Sequence, residues 1–281
     1  LVRKRSETEL NVVVGTQYEA KDYSVDLKRL HKRHGGFPGG PWITSSLLRF
    51  DAERLAAPSA SQPRPRMNPN GQGLASVLAF MALNNPNGFA ELKNDLRLVI
   101  PGVAELRFDT PVVRLPGEYE KRMFRGTEHV EQKTVPGHRL IVDMHGAPGI
   151  QAEMVSEGTL LVLGVLAVLH SDQPPNLLLL DDLELRLHPK AQGDFVALLR
   201  KIMEQRPELQ IVATTHSPYL LDHLKPEEVR LTTLDDQGVA HCAPLTDCPD
   251  FEKWKSEMTP GEIWTVLGEK WVAGLAKRGA H

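Results

Sequence analysis

The fold is decided by residues 176–222, which read NLLLLDDLELRLHPKAQGDFVALLRKIMEQRPELQIVATTHSPYLLD. One apolar run, 177–180, ends in two aspartates, and a second, 211–214, runs into Thr-His-Ser after an amphipathic helix. Unbroken apolar runs of this length are typical of strands buried in a parallel sheet. Because α/β folds bind ligands at the carboxyl edge of the sheet, these polar ends predict a functional site there. The pair Asp181 and Asp182 could instead form an ordinary helix-capping turn.

The bulk composition is that of a globular protein. A chain of 281 residues with 41% hydrophobic and 25% charged residues is neither disordered nor fibrous. The net charge of −3 excludes an overall basic field, so any nucleic-acid contact needs a local patch. No apolar run is long enough to cross a membrane and no signal peptide is visible, so we expect a cytoplasmic protein without a membrane partner. The two cysteines, Cys242 and Cys248, lack zinc-site spacing and are expected to be reduced thiols.

The N-terminal residues predict short strands at 12–14, 23–27 and 45–55. Between them, a basic cluster at 28–34 runs into the loop GGFPGG at 35–40. The cluster could contact nucleic-acid phosphates, or it could be a solvated loop of an acidic protein. GGFPGG lacks the Lys-Ser/Thr that a phosphate loop carries after its glycines, so it is not a Walker A motif.

The middle of the chain mixes helical and strand patterns. Residues 56–69 are rich in Pro, Ser and Ala and indicate an exposed connector. Helical periodicity predicts helices at 74–83 and 89–100. Residues 103–144 are strand-like, with a polar insertion at about 115–138 that we expect to be flexible or a long hairpin.

A second informative stretch, QAEMVSEGTLLVLGVLAVL, covers residues 151–169. Ser156 can cap the apolar helix that follows, and Gly158 lies beside it. A helix N-terminus of this kind exposes free backbone N–H groups and favours an anion. Taken alone, the stretch is better explained by a plain buried helix.

Three motifs in this order resemble those of a known family. VSEGTL at 155–160, LLLLDDLELRLHP at 177–189 and ATTHSPYLL at 213–221 are similar to the signature, Walker B and switch-histidine motifs of ABC-type ATPase heads. The closest resemblance is to stand-alone AAA ATPases related to the OLD, RecF and SMC proteins, and it covers residues 150–235. It implies an α/β fold with a mostly parallel core sheet flanked by helices, an N-terminal antiparallel β region and a helical signature subdomain.

The same resemblance divides the chain into four segments. Residues 1–55 would form the antiparallel β part, and 56–175 the helical signature subdomain with its polar insertion. Residues 176–245 would form the core α/β part, and 246–281 a helical tail.

The resemblance also assigns roles at the sheet edge. It implies that Asp181 holds Mg²⁺ through water and that His216 contacts the γ-phosphate of ATP. Asp182 takes the place of the family's usual glutamate, which orients or deprotonates the attacking water. Because aspartate is one methylene shorter, hydrolysis is expected to be slow unless the backbone compensates.

Further contacts would come from a second subunit. The resemblance implies that Ser156, Glu157 and Gly158 contact ATP held by a partner head, in a head-to-tail homodimer or higher homo-oligomer. Glu184 keeps the family's next acid, near the nucleotide or in a salt bridge. His188 is expected to stabilise the loop after Walker B or the dimer seam.

No G-x-x-x-x-G-K-S/T motif occurs in the 281 residues, and the resemblance places Walker A before residue 1. The expected function is that of an ATP-hydrolysing subunit that drives or gates a larger assembly in DNA repair or defence against phage. An effector protein, nuclease-like or other, is the expected partner. The alternative is a nucleotide-gated scaffold with little hydrolysis. Asp182, in place of the family's usual glutamate, is the feature that supports this alternative.

The C-terminal part predicts a hairpin and a helical tail. Residues 229–234 and 239–243 read as two strands joined by a turn. Trp264 and Trp271 are seven residues apart, a spacing that places both on one helix face. These tryptophans could pack against the core or dock a partner protein.

Overall fold

The computed structural model describes residues 10–15, 44–124, 127–184 and 186–278. The strands are β1 (Leu10–Gly15), β2 (Ser45–Leu48), β3 (Ser59–Ala60), β4 (Val103–Asp109), β5 (Val112–Phe124), β6 (Thr127–Met144), β7 (Ala147–Gln151), β8 (Leu177–Leu180), β9 (Gln210–Thr215), β10 (Val229–Leu234) and β11 (Ala240–Pro244). The helices are α1 (Ala52–Ala56), α2 (Leu74–Asn84), α3 (Pro86–Val99), α4 (Glu157–Leu169), α5 (Pro189–Gln205), α6 (Pro218–Leu221), α7 (Phe251–Trp254), α8 (Pro260–Leu267) and α9 (Lys270–Arg278).

A six-stranded sheet in the order β11-β10-β1-β9-β8-β2 forms the centre of the fold. Its strands pair in parallel except at the edge, where β11 is antiparallel to β10. Leu179 of β8 lies opposite Leu47 on one side and Val212 on the other. Because parallel strands run in one direction, the residues that follow β2, β8 and β9 meet at the same edge. The predicted parallel core sheet is confirmed.

The second sheet is antiparallel and is built around the long strand β6. β3, β4, β5 and β7 all pair with β6. The polar insertion forms the β5–β6 hairpin, in which Phe124 pairs with Thr127. Of the two alternatives left by the sequence, the long hairpin is therefore correct.

Helix α4 is buried in the hydrophobic core. It is apolar on all sides, as a fully buried helix must be. Every residue from 158 to 167 is buried. The two helices predicted upstream are present as α2 and α3. α3 begins three residues earlier than predicted because the Asn85 side chain accepts a hydrogen bond from the Gly88 N–H at 3.0 Å and caps the first turn.

The N-terminal part differs from the prediction. Instead of an antiparallel region, its described strands β1 and β2 pair in parallel within the main sheet. They complete the core sheet, with β1 beside β9 and β2 beside β8. The predicted strand at 23–27, the basic cluster at 28–34 and the loop at 35–40 lie outside the described residues.

The strand predicted over 45–55 is also shorter than expected. It ends at Leu48, and Asp51 then caps α1 by accepting a hydrogen bond from the Arg54 N–H at 3.0 Å. Aspartate competes with strand pairing by bonding its own following backbone, and this stops β2 and starts a helix. The helix carries Leu55 into the core.

The tail confirms the hairpin, as β10 and β11, but not the single helix. Gly268, at a φ of +59°, ends α8, and a new helix, α9, starts at Lys270. Trp264 and Trp271 therefore lie on two helices, and both are partly buried against the core. Packing is the role that the structure gives them. Among the described residues, no helix is long and apolar enough to span a bilayer.

Candidate functional site

Asp181 lies at the carboxyl end of β8, where the sequence placed it. Its backbone N–H donates to the carbonyl of Leu48 at 3.0 Å, which extends the β2–β8 pairing by one residue. Its Oδ2 accepts a hydrogen bond from Arg49 Nε at 2.8 Å, and its Oδ1 accepts one from the Thr214 hydroxyl at 2.8 Å. The Asp181 carboxylate is thus oriented by residues that follow β2 and end β9.

Thr214 connects the two aspartates. Its hydroxyl donates to Asp181 and accepts a hydrogen bond from the Asp182 N–H at 2.9 Å. Its carbonyl accepts from the Leu183 N–H at 3.0 Å. Strand β9 therefore holds the whole turn after β8. Sequence reasoning missed this residue, although a polar side chain near the end of an apolar strand is a usable signal.

Asp182 has a left-handed backbone, with a φ of +53°. L-residues rarely adopt this region, and aspartate and asparagine do so more readily than glutamate. Burial raises the pKa of the Asp182 carboxyl, and the neighbouring Asp181 and Glu184 raise it further, while His216 and Arg49 act in the opposite direction. A carboxylate with a raised pKa is better suited to accept a proton.

Glu184 and His216 are in direct contact. The His216 backbone N–H donates to Glu184 Oε1 at 2.7 Å. The other oxygen, Oε2, is buried and finds no hydrogen-bond partner among the described residues. The His216 side chain is exposed. Glu184 therefore fixes the backbone of His216 and leaves its imidazole accessible at the sheet edge.

Ser217, the residue after His216, forms hydrogen bonds with two helices. Ser217 caps α6 by accepting a hydrogen bond from the Leu220 N–H at 3.3 Å. Its hydroxyl donates to Gln192 Oε1 of α5 at 2.7 Å. The chain directly after His216 is thereby anchored to both helices.

The start of α4 packs against the loop that follows the aspartates. Ser156 caps the helix by accepting a hydrogen bond from the Thr159 N–H at 3.3 Å. Glu157 forms an ion pair with Arg186. A Cβ on Gly158 would lie 2.9 Å from the Arg186 carbonyl oxygen, so only glycine allows this approach. The contact joins the N-terminus of α4 to the loop between β8 and α5 of the same chain.

His188 has a structural role. It is the N-cap of α5, and its Nδ1 accepts a hydrogen bond from the Lys190 N–H at 3.3 Å. Its expected role in stabilising the loop after Walker B or the dimer seam stays a prediction. Its predicted contact with nucleotide stays a prediction.

A magnesium ion fits the donor chemistry at Asp181. Within the described residues, no group of three or more His, Cys, Asp or Glu side chains is placed to hold a metal ion. Mg²⁺ keeps several waters, however, and one carboxylate can hold it next to a phosphate. The Arg49 guanidinium, 55% exposed, already places a positive charge on this carboxylate. The Asp181 carboxylate thus has one cationic partner, Arg49.

Comparison with known proteins gives a family and similarity to curated proteins. A family model described as "AAA domain, putative AbiEii toxin, Type IV TA system" matches residues 43–222, well over half of the chain. The chain is also similar to the Septu protein PtuA of Bacillus thuringiensis, with 32% identity over 82 residues. That match covers 29% of this chain and 20% of the relative, so the chain spans about a fifth of the relative's length.

Solved structures show more distant similarity. The SMC head domain from Thermotoga maritima is 13% identical with a TM-score of 0.36, covering 59% of this chain and 50% of that chain. A dimeric ATP-binding cassette in a post-hydrolysis state, bound to ADP and Pi, is 13% identical with a TM-score of 0.42, covering 87% of this chain and 88% of that chain. At these scores the similarity decides nothing about the site.

The family match includes α4, β8, both aspartates, β9 and His216, the elements that build the sheet edge. The chain therefore belongs to this AAA-domain family.

Proposed function

We propose that the chain binds and hydrolyses ATP as a head that dimerises head-to-tail around the nucleotide. The observation that carries this proposal is the connected set at the sheet edge. Thr214 joins Asp181 to Asp182, and Glu184 joins the same turn to His216. A strand end with two acids and an exposed histidine is suited to phosphoryl transfer to water.

Asp181 would hold Mg²⁺, which supplies positive charge at the phosphates of bound ATP. Arg49 would give up its contact with Asp181 as the ion binds, since both need the same carboxylate. Arg49 would then be close to the phosphates, and its exposed guanidinium can donate to their oxygens.

Asp182 would accept a proton from the attacking water, and His216 would donate a hydrogen bond to the γ-phosphate. The raised pKa of Asp182 supports the first role. The left-handed turn also gives a reason for aspartate at this position, because glutamate is disfavoured there. Glu184 would act by holding His216 in position.

The signature residues would act on ATP bound to the other subunit. The N-terminus of α4 offers free N–H groups and a positive dipole end near Ser156 and Gly158. The Glu157 carboxylate is paired with Arg186, which reduces its repulsion of phosphate. His188 would contribute through the loop it caps.

We further propose that the head drives or gates a larger assembly with an effector protein. The similarity to the Septu protein PtuA favours defence against phage over DNA repair. The basic residues at 28–34 would be the contact with nucleic-acid phosphates if the assembly binds nucleic acid. The second candidate function is a nucleotide-gated scaffold with negligible hydrolysis, and the short side chain of Asp182 favours it.

Mixing two inactive variants of the full-length protein tests the head-to-tail arrangement. Ser156→Glu places a negative charge where phosphate would lie, and Asp182→Asn removes the proton acceptor. Each variant alone should lose ATP turnover. In a head-to-tail dimer, half of the mixed dimers' sites regain both parts, and an equimolar mixture should recover about a quarter of the wild-type rate.

Two controls define the outcome. The Ser156→Glu protein alone must stay inactive. Size-exclusion chromatography must show that all variants still dimerise. If the mixture of the two variants stays as inactive as either one, the signature residues and the acids do not act across subunits.

A further inference from the structure

A groove of about 590 Å³ is lined by residues of α6 and α8. It lies where the tail helices meet the core. Its floor includes Pro218 and Met258. The groove contains none of the residues to which a role in ATP hydrolysis is given above.

Two apolar side chains that line this groove are largely exposed. Tyr219 and Val266 are each 61% exposed. Tyrosine is enriched at the centres of protein interfaces because it brings a large apolar ring and a polar tip. Together with Met258, these side chains form an apolar strip between the two helices.

The rim of the groove is acidic. Asp222, Glu257 and Glu262 are exposed and line it. In the described part of the chain, none of the three forms an ion pair with a basic side chain. The lining itself contains no lysine, arginine or histidine. An occupant with positive charges would therefore meet an uncompensated negative field.

The groove is preformed, because α8 is held tightly against α6. The Gly261 N–H donates to Asp222 Oδ1 at 2.9 Å. A Cβ on Gly261 would lie 2.2 Å from the Pro218 carbonyl oxygen, so the two helices touch through backbone. A rigid groove binds a partner without first paying to order its own walls.

We propose that this groove docks a basic, apolar segment of a partner protein. Apolar side chains of the segment would cover Tyr219 and Val266, and its lysines or arginines would face Glu257 and its acidic neighbours. Because α6 starts two residues after His216, the bound segment would press on the helix that follows the switch histidine. Docking does not depend on hydrolysis, so it holds for a scaffold as well as for an ATPase.

Two matched helical peptides test the proposal on the full-length protein by fluorescence anisotropy. One combines leucine with lysine, and the other has the same leucine pattern with glutamate. The lysine peptide should bind, with an affinity that falls as salt rises, and the glutamate peptide should not. Tyr219→Ala and Glu257→Lys should each weaken the lysine peptide by about tenfold.

Leu83→Ala and Glu91→Lys are the matched controls, since both positions are exposed and lie on other helices. They should leave binding unchanged. Equal binding of the two peptides, or equal loss in the control variants, would overturn the proposal. So would sedimentation showing that Tyr219→Ala abolishes self-association, because the occupant would then be a second copy of this chain.

Discussion

At the scale of single residues, the site depends on hydrogen bonds between positions far apart in sequence. Arg49 and Asp181 are separated by 132 positions, and Asp181 and Thr214 by 33. Local patterns predicted which acids end the strand. They could not predict which side chains would hold those acids, because that depends on the order of the strands in the sheet.

Thr214→Val should distinguish the role of Thr214 in positioning the two aspartates from its role in the stability of the fold. Valine keeps the branched shape but removes the donor to Asp181 and the acceptor for Asp182. We expect the free energy of unfolding to fall by about 1–2 kcal/mol and ATP turnover to fall further than nucleotide affinity. Urea denaturation and kcat measurements check this. Thr214→Ser, which keeps the hydroxyl, should restore turnover, and failure of that rescue would count against the positioning role.

Asp182→Glu tests the left-handed turn. Glutamate at a φ of +53° should lower the free energy of unfolding by about 1 kcal/mol, whereas Asp182→Asn should not. Chemical denaturation of the three proteins gives the comparison. If glutamate is as stable as aspartate, backbone conformation does not explain the aspartate here.

At the scale of elements, the helices are joined to the sheet by close packing and by an ion pair whose carboxylate is buried. Arg200 of α5 forms a fork with Glu228, whose side chain is only 4% exposed, just before β10. Burial alone would raise the pKa of Glu228, but the hydrogen bonds from Arg200 and the Lys225 N–H lower it below its usual 4.5. The ionised carboxylate therefore stabilises the fold.

The pH dependence of the stability of Glu228→Gln should reveal the contribution of the ionised carboxylate. A carboxyl with a lowered folded-state pKa stabilises the protein above its unfolded pKa, and that contribution disappears as pH falls through the folded value. We expect the variant to be less stable by about 2 kcal/mol at pH 7, with the difference shrinking below about pH 4.5. Urea titrations at several pH values measure it. The exposed Glu91→Gln serves as control and should show no such trend.

Gly158→Ala tests the contact between α4 and the loop that joins β8 to α5. The added Cβ would lie 2.9 Å from the Arg186 carbonyl oxygen, so stability should fall by about 1–3 kcal/mol. At Gly274 in α9 nothing lies within 4 Å of an added Cβ, and alanine there should stabilise by about 0.5–1 kcal/mol. Thermal melts of both variants distinguish them. Equal effects would show that the approach at Gly158 is loose.

At the scale of the whole molecule, the sequence predicted the parallel core sheet and named the β5–β6 hairpin as one of two alternatives. The roles it gave to Asp181, Asp182 and His216 stay predictions. These predictions rested on apolar runs and their ends, which are local features. The parallel pairing of β1 and the break at Gly268 were missed. The first depends on partners about 200 positions away, and the second on one backbone angle.

The sharpest test of the ATPase head is the turnover of the full-length protein with and without the proton acceptor. Asp182→Asn keeps the left-handed turn and should lower ATP turnover by at least about a hundredfold. Asp172→Asn, an exposed aspartate in the loop before β8, should turn over ATP like the wild type. Wild-type turnover in Asp182→Asn would contradict the role given to the acids at the sheet edge, and a wild type without turnover would favour the scaffold instead.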